Sequence, residues 1–424
     1  MKTARHSQFS TLNSPFKQTE VGVIPEDWEV SKLAGLGEVI RGASPRPKGD
    51  KRFYGGSIPR LMVEDVTRDG KIVVPQIDFL TEEGAKRSRP CKKGTLTIVC
   101  SGTVGIPSFL GVDACIHDGF LALVGIRKSV SDDYLYHQLC RLRESFNSSA
   151  THGGIFTNLT TSGVREFTVP LPPTKVEQET IAEALSDADA LIESLEQLIA
   201  KKLQIKQGVT QELLRPKDGC QPIRLGDIAD PNQRWSFTGG PFGSNLKSSD
   251  YTDEGVRIIQ LQNIGDGEFK NDYEVYTSSR KADELLSCNI YPGEIILSKM
   301  GDPVARACII PAYHERYLMC SDGIRLAVDP KRFNTYFVYT VINAPDFRAK
   351  AANAGTGSTR KRIGLTELRN LELLCPPLPE QTAIAAILSD MAAEVAVLEE
   401  KLAKARQLKQ GMMQELLTGR IRLV

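Results

Sequence analysis

The feature of this sequence that most limits its fold is an internal repeat. Residues 177–214 and 380–417 align without a gap at a constant offset of 203 positions, and 20 of the 38 aligned pairs are identical. Both segments end in Gln-Glu-Leu-Leu. Duplication at so long a period indicates two copies of a large unit rather than a solenoid of short repeats.

Each copy of the repeat has the pattern of a long helix. Apolar residues recur in alternating steps of four and three, which defines a heptad seam. The seam residues are Ile181, Leu185, Ala188, Ile192, Leu195 and Ile199 in the first copy, and Ile384, Leu388, Met391, Val395, Leu398, Leu402 and Ala405 in the second. Prolines, including Pro379, precede each predicted helix. Two matched seams predict that the helices pair, and the alternative is that each packs only on its neighbouring domain.

The segments in front of the two helices correspond in outline. Roughly, residues 20–170 and 221–375 each contain a strand-like lead, a Gly/Pro/Ser turn, an Asp-Gly before a strand and a Gly-rich loop. The chain order is therefore an α+β domain, a long helix, a second α+β domain and a second long helix. Similar helices between divergent domains suggest a common scaffold that carries two different recognition domains.

Composition bounds what such a chain can bind. At 424 residues, with 41% hydrophobic and 25% charged residues, the chain is expected to be globular with two or three domains. Lys+Arg is 53 and Asp+Glu is 52, so no global charge attracts it to nucleic acid or to an acidic membrane. Any nucleic-acid contact therefore needs basic groups that cluster locally, or a partner protein that supplies the positive electrostatic potential. The absence of long apolar runs leads us to expect a cytoplasmic protein that makes no membrane contact.

The sequence contains no recognisable catalytic or metal motif. Nine cysteines without a C-x-x-C pair argue against a disulfide framework and against a zinc ribbon. There is no P-loop, and the run from Gly355 lacks the last glycine of a dinucleotide-binding turn. Five scattered histidines form no H-E-x-x-H. We therefore expect no catalytic residue and no metal site in this chain.

Three stretches resemble a known family. They are the lead Val21–Trp28, the helix start Leu378–Ile384 and the Gln-Glu-Leu-Leu helix ends, and they resemble the specificity subunit of type I restriction-modification enzymes. The resemblance implies an α+β fold in which two long conserved helices, forming an antiparallel coiled coil, separate two globular α/β-mixed target-recognition domains. The implied parts are a flexible N-terminal arm (1–20), target-recognition domain 1 (21–172), a central conserved helix (173–218), target-recognition domain 2 (219–376) and a C-terminal conserved helix (377–424).

The family resemblance also implies a function. The chain would be the non-catalytic DNA-specificity subunit of a type I site-specific endonuclease and adenine-N6 methyltransferase that serves in phage defence. Each recognition domain would read one half of a bipartite asymmetric target in double-stranded DNA. The helices would set the spacer and dock two modification (methyltransferase) subunits, which restriction/translocase subunits join. S-adenosylmethionine would bind to the modification subunit, and ATP and Mg²⁺ would bind to the restriction subunit. This chain would bind no cofactor.

Other functions remain open at this point. The chain could serve a related orphan methyltransferase or a phage-defence system without the restriction subunit. It could instead be a stand-alone enzyme with an unrecognised site, although the lack of motifs disfavours that interpretation. A coiled-coil scaffold that makes no DNA contact is the third alternative.

The candidate DNA contacts are basic and amide side chains near turns, because cations bind phosphates and Arg, Asn, Gln, Ser and Thr bind base edges. The strongest candidate is the Gly-flanked run Ser358-Thr359-Arg360-Lys361-Arg362, and the matching loop of the first domain offers only Thr157 and Asn158. The other candidates are Arg257, Gln260, Gln262 and Asn263 in the second domain, and Arg41, Arg46, Lys48 and Arg60 in the first.

The candidate partner-docking residues lie on the two helices. They are Leu185, Ile192, Leu195, Ile199, Gln211 and Leu214 in the first helix, and Leu388, Val395, Leu398, Leu402, Gln414 and Leu417 in the second. The Gln-Glu-Leu-Leu ends are interpreted as a docking surface, either for a partner or for the chain's own N-terminal segment.

Overall fold

A computed structural model describes residues 15–149, 151–152, 157–217, 219–357 and 360–423. The chain divides into two units, one formed by residues 1–197 with 399–424 and the other by residues 198–398. Each unit contains one globular domain together with one part of each long helix.

The first globular domain is a mixed α+β fold. Its strands are β1 (Phe16–Thr19), β2 (Gly22–Pro25), β3 (Glu29–Lys32), β4 (Glu38–Arg41), β5 (Tyr54–Leu61), β6 (Ile72–Val73), β7 (Asp78–Leu80), β8 (Arg89–Cys91), β9 (Leu96–Val99), β10 (Pro107–Leu110), β11 (Ala114–Ile116), β12 (Phe120–Val124), β13 (Thr151–His152), β14 (Thr157–Asn158) and β15 (Thr168–Leu171). Its helices are α1 (Leu33–Leu36), α2 (Val63–Asp69), α3 (Glu82–Lys86), α4 (Asp132–Arg141), α5 (Arg143–Ser149) and α6 (Thr161–Glu166).

Two sheets form the body of this domain, in the strand orders β4-β12-β9-β10-β6 and β7-β5-β11-β8. Strand β15 pairs antiparallel with β3, so the domain's final strand returns beside an early one. Strand β1, which falls within the arm predicted over residues 1–20, pairs antiparallel with β2.

The second globular domain has the same kind of architecture. Its strands are β16 (Gln221–Arg224), β17 (Phe237–Gly239), β18 (Tyr251–Thr252), β19 (Val256–Ile259), β20 (Val275–Thr277), β21 (Asn289–Ile290), β22 (Ile295–Ser298), β23 (Ala307–Ile309), β24 (Tyr317–Met319), β25 (Gly323–Leu326) and β26 (Glu372–Cys375). Its helices are α8 (Ser279–Glu284), α9 (Thr335–Asn343), α10 (Pro345–Ala354) and α11 (Leu365–Asn370), with short 3₁₀ turns between strands.

The sheet topology of the second domain repeats that of the first. The order β17-β25-β22-β23 matches β4-β12-β9-β10, and β20-β19-β24-β21 matches β7-β5-β11-β8. Each second sheet also contains one parallel pair at the same place, β5 with β11 and β19 with β24. The outline correspondence seen in the sequence therefore reflects one fold built twice.

The two long helices are α7 (Lys175–Leu213) and α12 (Leu378–Leu416), each 39 residues and about 58 Å long. Their bounds differ by 203 positions, the offset of the repeat. Gly208 and Gly411 lie inside them without breaking them. Pro379, predicted to precede the second helix, is its second residue, a position where a helix requires no backbone N–H donor.

The helices pair antiparallel within each unit. In the first unit Glu196 accepts a hydrogen bond from Arg406 at 2.6 Å, and Asp189 pairs with Lys409. In the second unit Lys202 Nζ lies 2.6 Å from Glu394. Lys217 Nζ lies 3.0 Å from Glu380 in the same unit. Partner numbers fall in α12 as they rise in α7, so the predicted antiparallel helix pair is confirmed in both units.

Each long helix is fixed to its domain by one buried glutamine near the helix start. Gln178 accepts from the backbone N–H of Ser131 at 2.8 Å and donates to the carbonyl of Pro172 at 3.2 Å. Gln381, 203 positions later, accepts from the N–H of Asn334 at 3.0 Å and donates to the carbonyl of Pro376 at 2.8 Å. These paired roles were not predicted, although the Glu-Gln pair at each helix start was visible in the repeat.

The segment after α12 completes the core of the first domain. Leu416, Leu417 and Leu423 are buried with Ile24 and Trp28. Of the two occupants considered for the second Gln-Glu-Leu-Leu end, the chain's own N-terminal segment is therefore the one present.

An arginine that follows α12 forms a buried ion-pair cluster with the same domain. Arg422, 9% exposed, donates to both carboxylate oxygens of Glu177 at 2.8 and 2.7 Å and to Asp27 at 2.8 Å. Glu177 is almost completely buried. The start of α7, the N-terminal lead and the segment after α12 are thus joined at one point.

Helix α12 is apolar as well as long. An 18-residue window of it has a mean hydropathy of 1.4, so by length and composition it could cross a membrane, and 28% of that window is buried. Ile384, Leu388 and Val395 nevertheless lie buried against the rest of the chain. Packing within the second unit, whose core includes Ile384 and Leu388, accounts for part of this hydropathy.

Candidate nucleic-acid interface

Two matching loops leave the main sheets of the two domains, one after β4 and one after β17. The N–H of Gly42 donates to the carbonyl of Phe120 at 2.9 Å, and the N–H of Gly240 donates to that of Gly323 at 2.8 Å. A Cβ on Gly42 would lie 2.0 Å from a carbonyl oxygen, and one on Gly240 would lie 1.7 Å from another. Only glycine allows so close a backbone approach, so both loops are held against an Asp-Gly turn.

In the first domain this loop carries cations. Arg41 Nε donates to the carbonyl of Asp118 at 3.0 Å, and Arg46 lies 3.7 Å from the carboxylate of the same residue with most of its side chain exposed. Lys48 is also exposed. The structure therefore brings three predicted contacts, Arg41, Arg46 and Lys48, together on one accessible loop.

In the second domain the cations come from elsewhere in the chain. Arg362 Nη2 lies 2.8 Å from Asp322 Oδ1 and forms an ion pair with it. Lys299 Nζ donates to the carbonyl of Ser321 at 3.1 Å and lies over Gly239, where a Cβ would come within 2.7 Å of it. Burial lowers the pKa of Lys299, and the neighbouring charge of Arg362 lowers it further. Two adjacent cations with one carboxylate between them favour an anionic ligand.

The predicted basic run lies between α10 and α11. Arg360, Lys361 and Arg362 are exposed, and Lys361 Nζ donates to the carbonyl of Ala352 at 3.0 Å. Arg362 forms backbone bridges with Thr356 and Met300, which fixes the run beside Lys299. Ser358 and Thr359 lie outside the described residues.

Three predicted DNA contacts are structural instead, and their assignment is corrected. Arg257 is 1% exposed, lies over the ring of Phe269 and donates to Asn271, Glu274 and the carbonyl of Tyr273. Asn263 is fully buried and donates to two backbone carbonyls. Arg60 is buried against Asp78 and Ser44. These side chains are buried and hydrogen-bonded within their own domain, so they are not accessible to a duplex.

The remaining predicted contacts differ in how accessible their side chains are. Gln262 is exposed, whereas Gln260 donates to the hydroxyl of Tyr251 at 2.9 Å. The backbone of Thr157 and Asn158 pairs with β13. Neither glutamine lines the cleft beside the loop after β17.

The predicted docking residues of the helices lie mainly on the seam within the chain. Leu185 and Leu417 are in the core of the first unit, and Leu388 is in that of the second. Of the others, Ile199 and Val395 are buried, Ile192, Leu195, Leu214, Leu398 and Leu402 are partly buried, and Gln211 and Gln414 are exposed. The buried leucines are therefore covered by this chain, and the exposed apolar side chains of the helices lie at other positions.

Phe242, Lys299 and Arg362 line one cleft beside the loop after β17, and the sequence reasoning missed the first two. Lys299 follows a buried strand without any motif, and Phe242 lies within the Gly/Pro/Ser turn of the second domain. A charged residue directly after an apolar strand is too common a pattern to identify such a site. Within the described part of the chain, no group of three or more His, Cys, Asp or Glu residues is placed to hold a metal ion.

Comparison with known sequences places the fold in a family. The family described as "Type I restriction modification DNA specificity domain" matches residues 25–204 and 246–407. The type I restriction enzyme MjaVIII specificity subunit of Methanocaldococcus jannaschii is 23% identical over 96% of both chains. The putative MjaX specificity subunit of the same organism is 27% identical over 96% of this chain and 97% of its own length.

Solved structures share the fold at low sequence identity. The S subunit of a type I restriction-modification system from M. genitalium matches with a TM-score of 0.58 and 15% identity, over 92% of this chain and 96% of its own. A chain from a structure described as the "Structural basis underlying complex assembly and conformational transition of the type I R-M system" matches with a TM-score of 0.55 and 16% identity, over 93% and 99%. With the family match covering most of a chain that repeats one domain and one helix, this protein belongs to the type I restriction-modification DNA specificity family.

Proposed function

We propose that this chain is the DNA-specificity subunit of a type I restriction-modification complex, in which each globular domain reads one half of a bipartite asymmetric target. The observation that carries the proposal is that one fold occurs twice with different side chains around the matching loop. The first domain presents Arg41, Arg46 and Lys48 there, and the second presents Lys299 and Arg362 beside Phe242. Two domains with the same backbone fold but different side chains at the matching loop suit the recognition of two different half-sites.

The helices supply the proposed partner surface. Several large apolar side chains on them are exposed although the seam is covered: Leu191 and Leu408 in the first unit, and Leu198, Leu203, Ile205, Ile387 and Val397 in the second. We infer that two modification subunits bind here, one at each unit, and that restriction subunits join this core. Exposed apolar residues on both units support one docking site per unit.

The proposal assigns chemistry to the partners. The modification subunits would bind S-adenosylmethionine and methylate adenine N6, and the restriction subunits would use ATP and Mg²⁺. This chain would be non-catalytic and act in the cytoplasm. Its net charge of +1 supports a division of labour in which the partners contribute much of the phosphate contact.

Methylation mapping tests the proposed function. The chain, purified with its modification subunits, is incubated with S-adenosylmethionine and genomic DNA, and methylated adenines are mapped. We expect one bipartite motif with a fixed spacer, and weak DNA binding by the chain alone. The same methylation pattern without this chain, or tight specific binding by the chain alone, would contradict the proposal.

A triple substitution tests the basic run of the second domain. Replacing Arg360, Lys361 and Arg362 by Ala in the complex should weaken DNA binding about tenfold or more and reduce the salt slope by up to about 3, since each lost phosphate contact removes about 0.9. Fluorescence anisotropy at several salt concentrations measures both quantities. Lys331→Ala, an exposed cation near the start of α12, is the control and should change neither. Equal slopes for the triple variant and the wild type would exclude these residues from the interface.

A further inference from the structure

The exposure of Phe242 is unusual for its size. The residue is 84% exposed, the highest value among the exposed large apolar residues of the described chain. Single exposed apolar residues are common on protein surfaces, so exposure alone carries no function. A binding role is instead indicated by how the turn holds the ring and by which groups lie around it.

The turn that bears Phe242 is fixed to the domain. Gly240 bonds the backbone of Gly323, and the N–H of Asn245 donates to the carbonyl of Phe242 at 2.8 Å. Pro241 restricts the backbone just before the ring. The ring is therefore carried on an ordered turn, which lowers the entropy lost when it contacts a ligand.

The groups around the ring match nucleic-acid chemistry. Phe242 lines one cleft together with Lys299, Arg362 and Asn245. Cations bind the phosphate backbone, while apolar rings contact thymine methyl groups, stack on bases or wedge between base steps. A ring beside two cations therefore suits a ligand that presents phosphates and bases a few ångströms apart.

The matching loop of the first domain lacks this feature. With Gly42 aligned to Gly240, the residue in the place of Phe242 is Ser44, whose hydroxyl accepts a hydrogen bond from Arg60 at 2.8 Å and also bonds Asp118. That side chain is engaged within its own domain. At this position of the matching loops, the second domain has an aromatic ring and the first has a hydroxyl group.

We propose that Phe242 contacts the bases of the half-site read by the second domain, by apolar contact in a groove of the duplex, while Lys299 and Arg362 bind the adjacent phosphates. This inference rests on the proposed function and adds a specificity-determining residue to it. Apolar contact releases no counterions, so its loss weakens binding without changing the salt slope. Loss of a phosphate contact, in contrast, lowers both the affinity and the salt slope.

The test uses the complex of the full chain with its modification subunits and DNA that carries its mapped site. Phe242→Ala should weaken binding about tenfold at an unchanged salt slope. It should also reduce discrimination against altered second half-sites and leave discrimination at the first half-site unchanged. Phe242→Tyr, which keeps the ring, should restore most of the affinity.

Two variants of the second domain serve as controls. Arg362→Ala should lower the salt slope by about 1, as expected for a phosphate contact. Tyr313→Ala removes another exposed aromatic ring, on the β23–β24 connection, and should change neither affinity nor slope. Thermal unfolding of Phe242→Ala should match the wild type, because the ring is exposed.

The outcomes separate this inference from the function on which it rests. A wild-type complex without preference for any bipartite site would overturn both. A wild-type complex that discriminates normally, with Phe242→Ala equal to it in affinity and half-site preference, would overturn only the role of Phe242. A reduced salt slope in Phe242→Ala would also overturn the assignment of a base contact.

Discussion

Inserting one heptad into each long helix is expected to lengthen the preferred spacer of the DNA target and to leave both half-sites unchanged. Seven residues placed after Gln197 in α7 and seven after Leu398 in α12 keep the seam in phase, because the apolar pattern repeats every seven residues. Both insertions lie where residues of one unit meet those of the other along the chain. The added helix is about 10.5 Å long, equivalent to about three base pairs of DNA.

Binding to the original site should fall by about 10³-fold, towards non-specific affinity, because the two half-sites can no longer be engaged together. Adenine methylation mapping with the variant complex reads the spacer and both half-sites at once. A heptad inserted in α7 alone is the matched control and should abolish preference for every spacer, since it leaves the helices unequal. An unchanged spacer, or an altered half-site at the old spacer, would refute a spacer set by the helices.

Replacing Arg422 by Ala is expected to destabilise the first unit by about 3–5 kcal/mol. The substitution leaves the carboxylate of Glu177 buried without its two hydrogen bonds from the guanidinium, and breaking one side of a buried ion pair costs about this much. Trp28 is fully buried in the same unit, and the chain's other tryptophan is Trp235. Denaturant unfolding followed by fluorescence in a Trp235→Phe background therefore reports on the first unit.

The control lies two residues away. Arg420 is 56% exposed and lies 3.6 Å from Glu415, so Arg420→Ala should cost less than about 0.5 kcal/mol. Arg422→Lys should recover only part of the lost stability, because an ammonium cannot match a carboxylate with two parallel bonds. If Arg422→Ala lowers the free energy of unfolding by less than about 1 kcal/mol, the ion-pair cluster does not stabilise the first unit as expected.

The helices were the part of the fold most accessible from the sequence. The heptad steps are local in the chain, and two matched seams identify each other as partners, so the pairing is confirmed. The helix ends lie within two residues of the repeat segments 177–214 and 380–417. The sheets were visible only in outline. Their order depends on contacts between distant strands, such as β12 with β4, that no local pattern encodes.

In the candidate site, too, features encoded locally in the sequence were predicted, and features that depend on distant residues were not. Cations on Gly-rich loops, such as Arg46 and Arg362, could be named as candidates because a loop with cations and little bulk is a local signal, and both side chains are exposed. Arg257 was misassigned because its partners Asn271 and Glu274 follow 14 and 17 residues later, and only the folded domain shows that they surround it. Lys299 was missed since its role depends on Gly239 and Asp322, which come from other strands and turns.

The closure of the first unit by residues 416–423 has a consequence for synthesis on the ribosome. The first globular domain emerges early, but the leucines and the arginine that complete its core are made only after the whole second unit, residues 198–398. At about 5–20 residues per second, the delay is roughly 10–40 s. During that interval the nascent first domain exposes apolar surface around Trp28 and an unpaired Glu177. Protection of this surface by a chaperone, or by a modification subunit that binds the growing chain, would then govern the yield of folded protein.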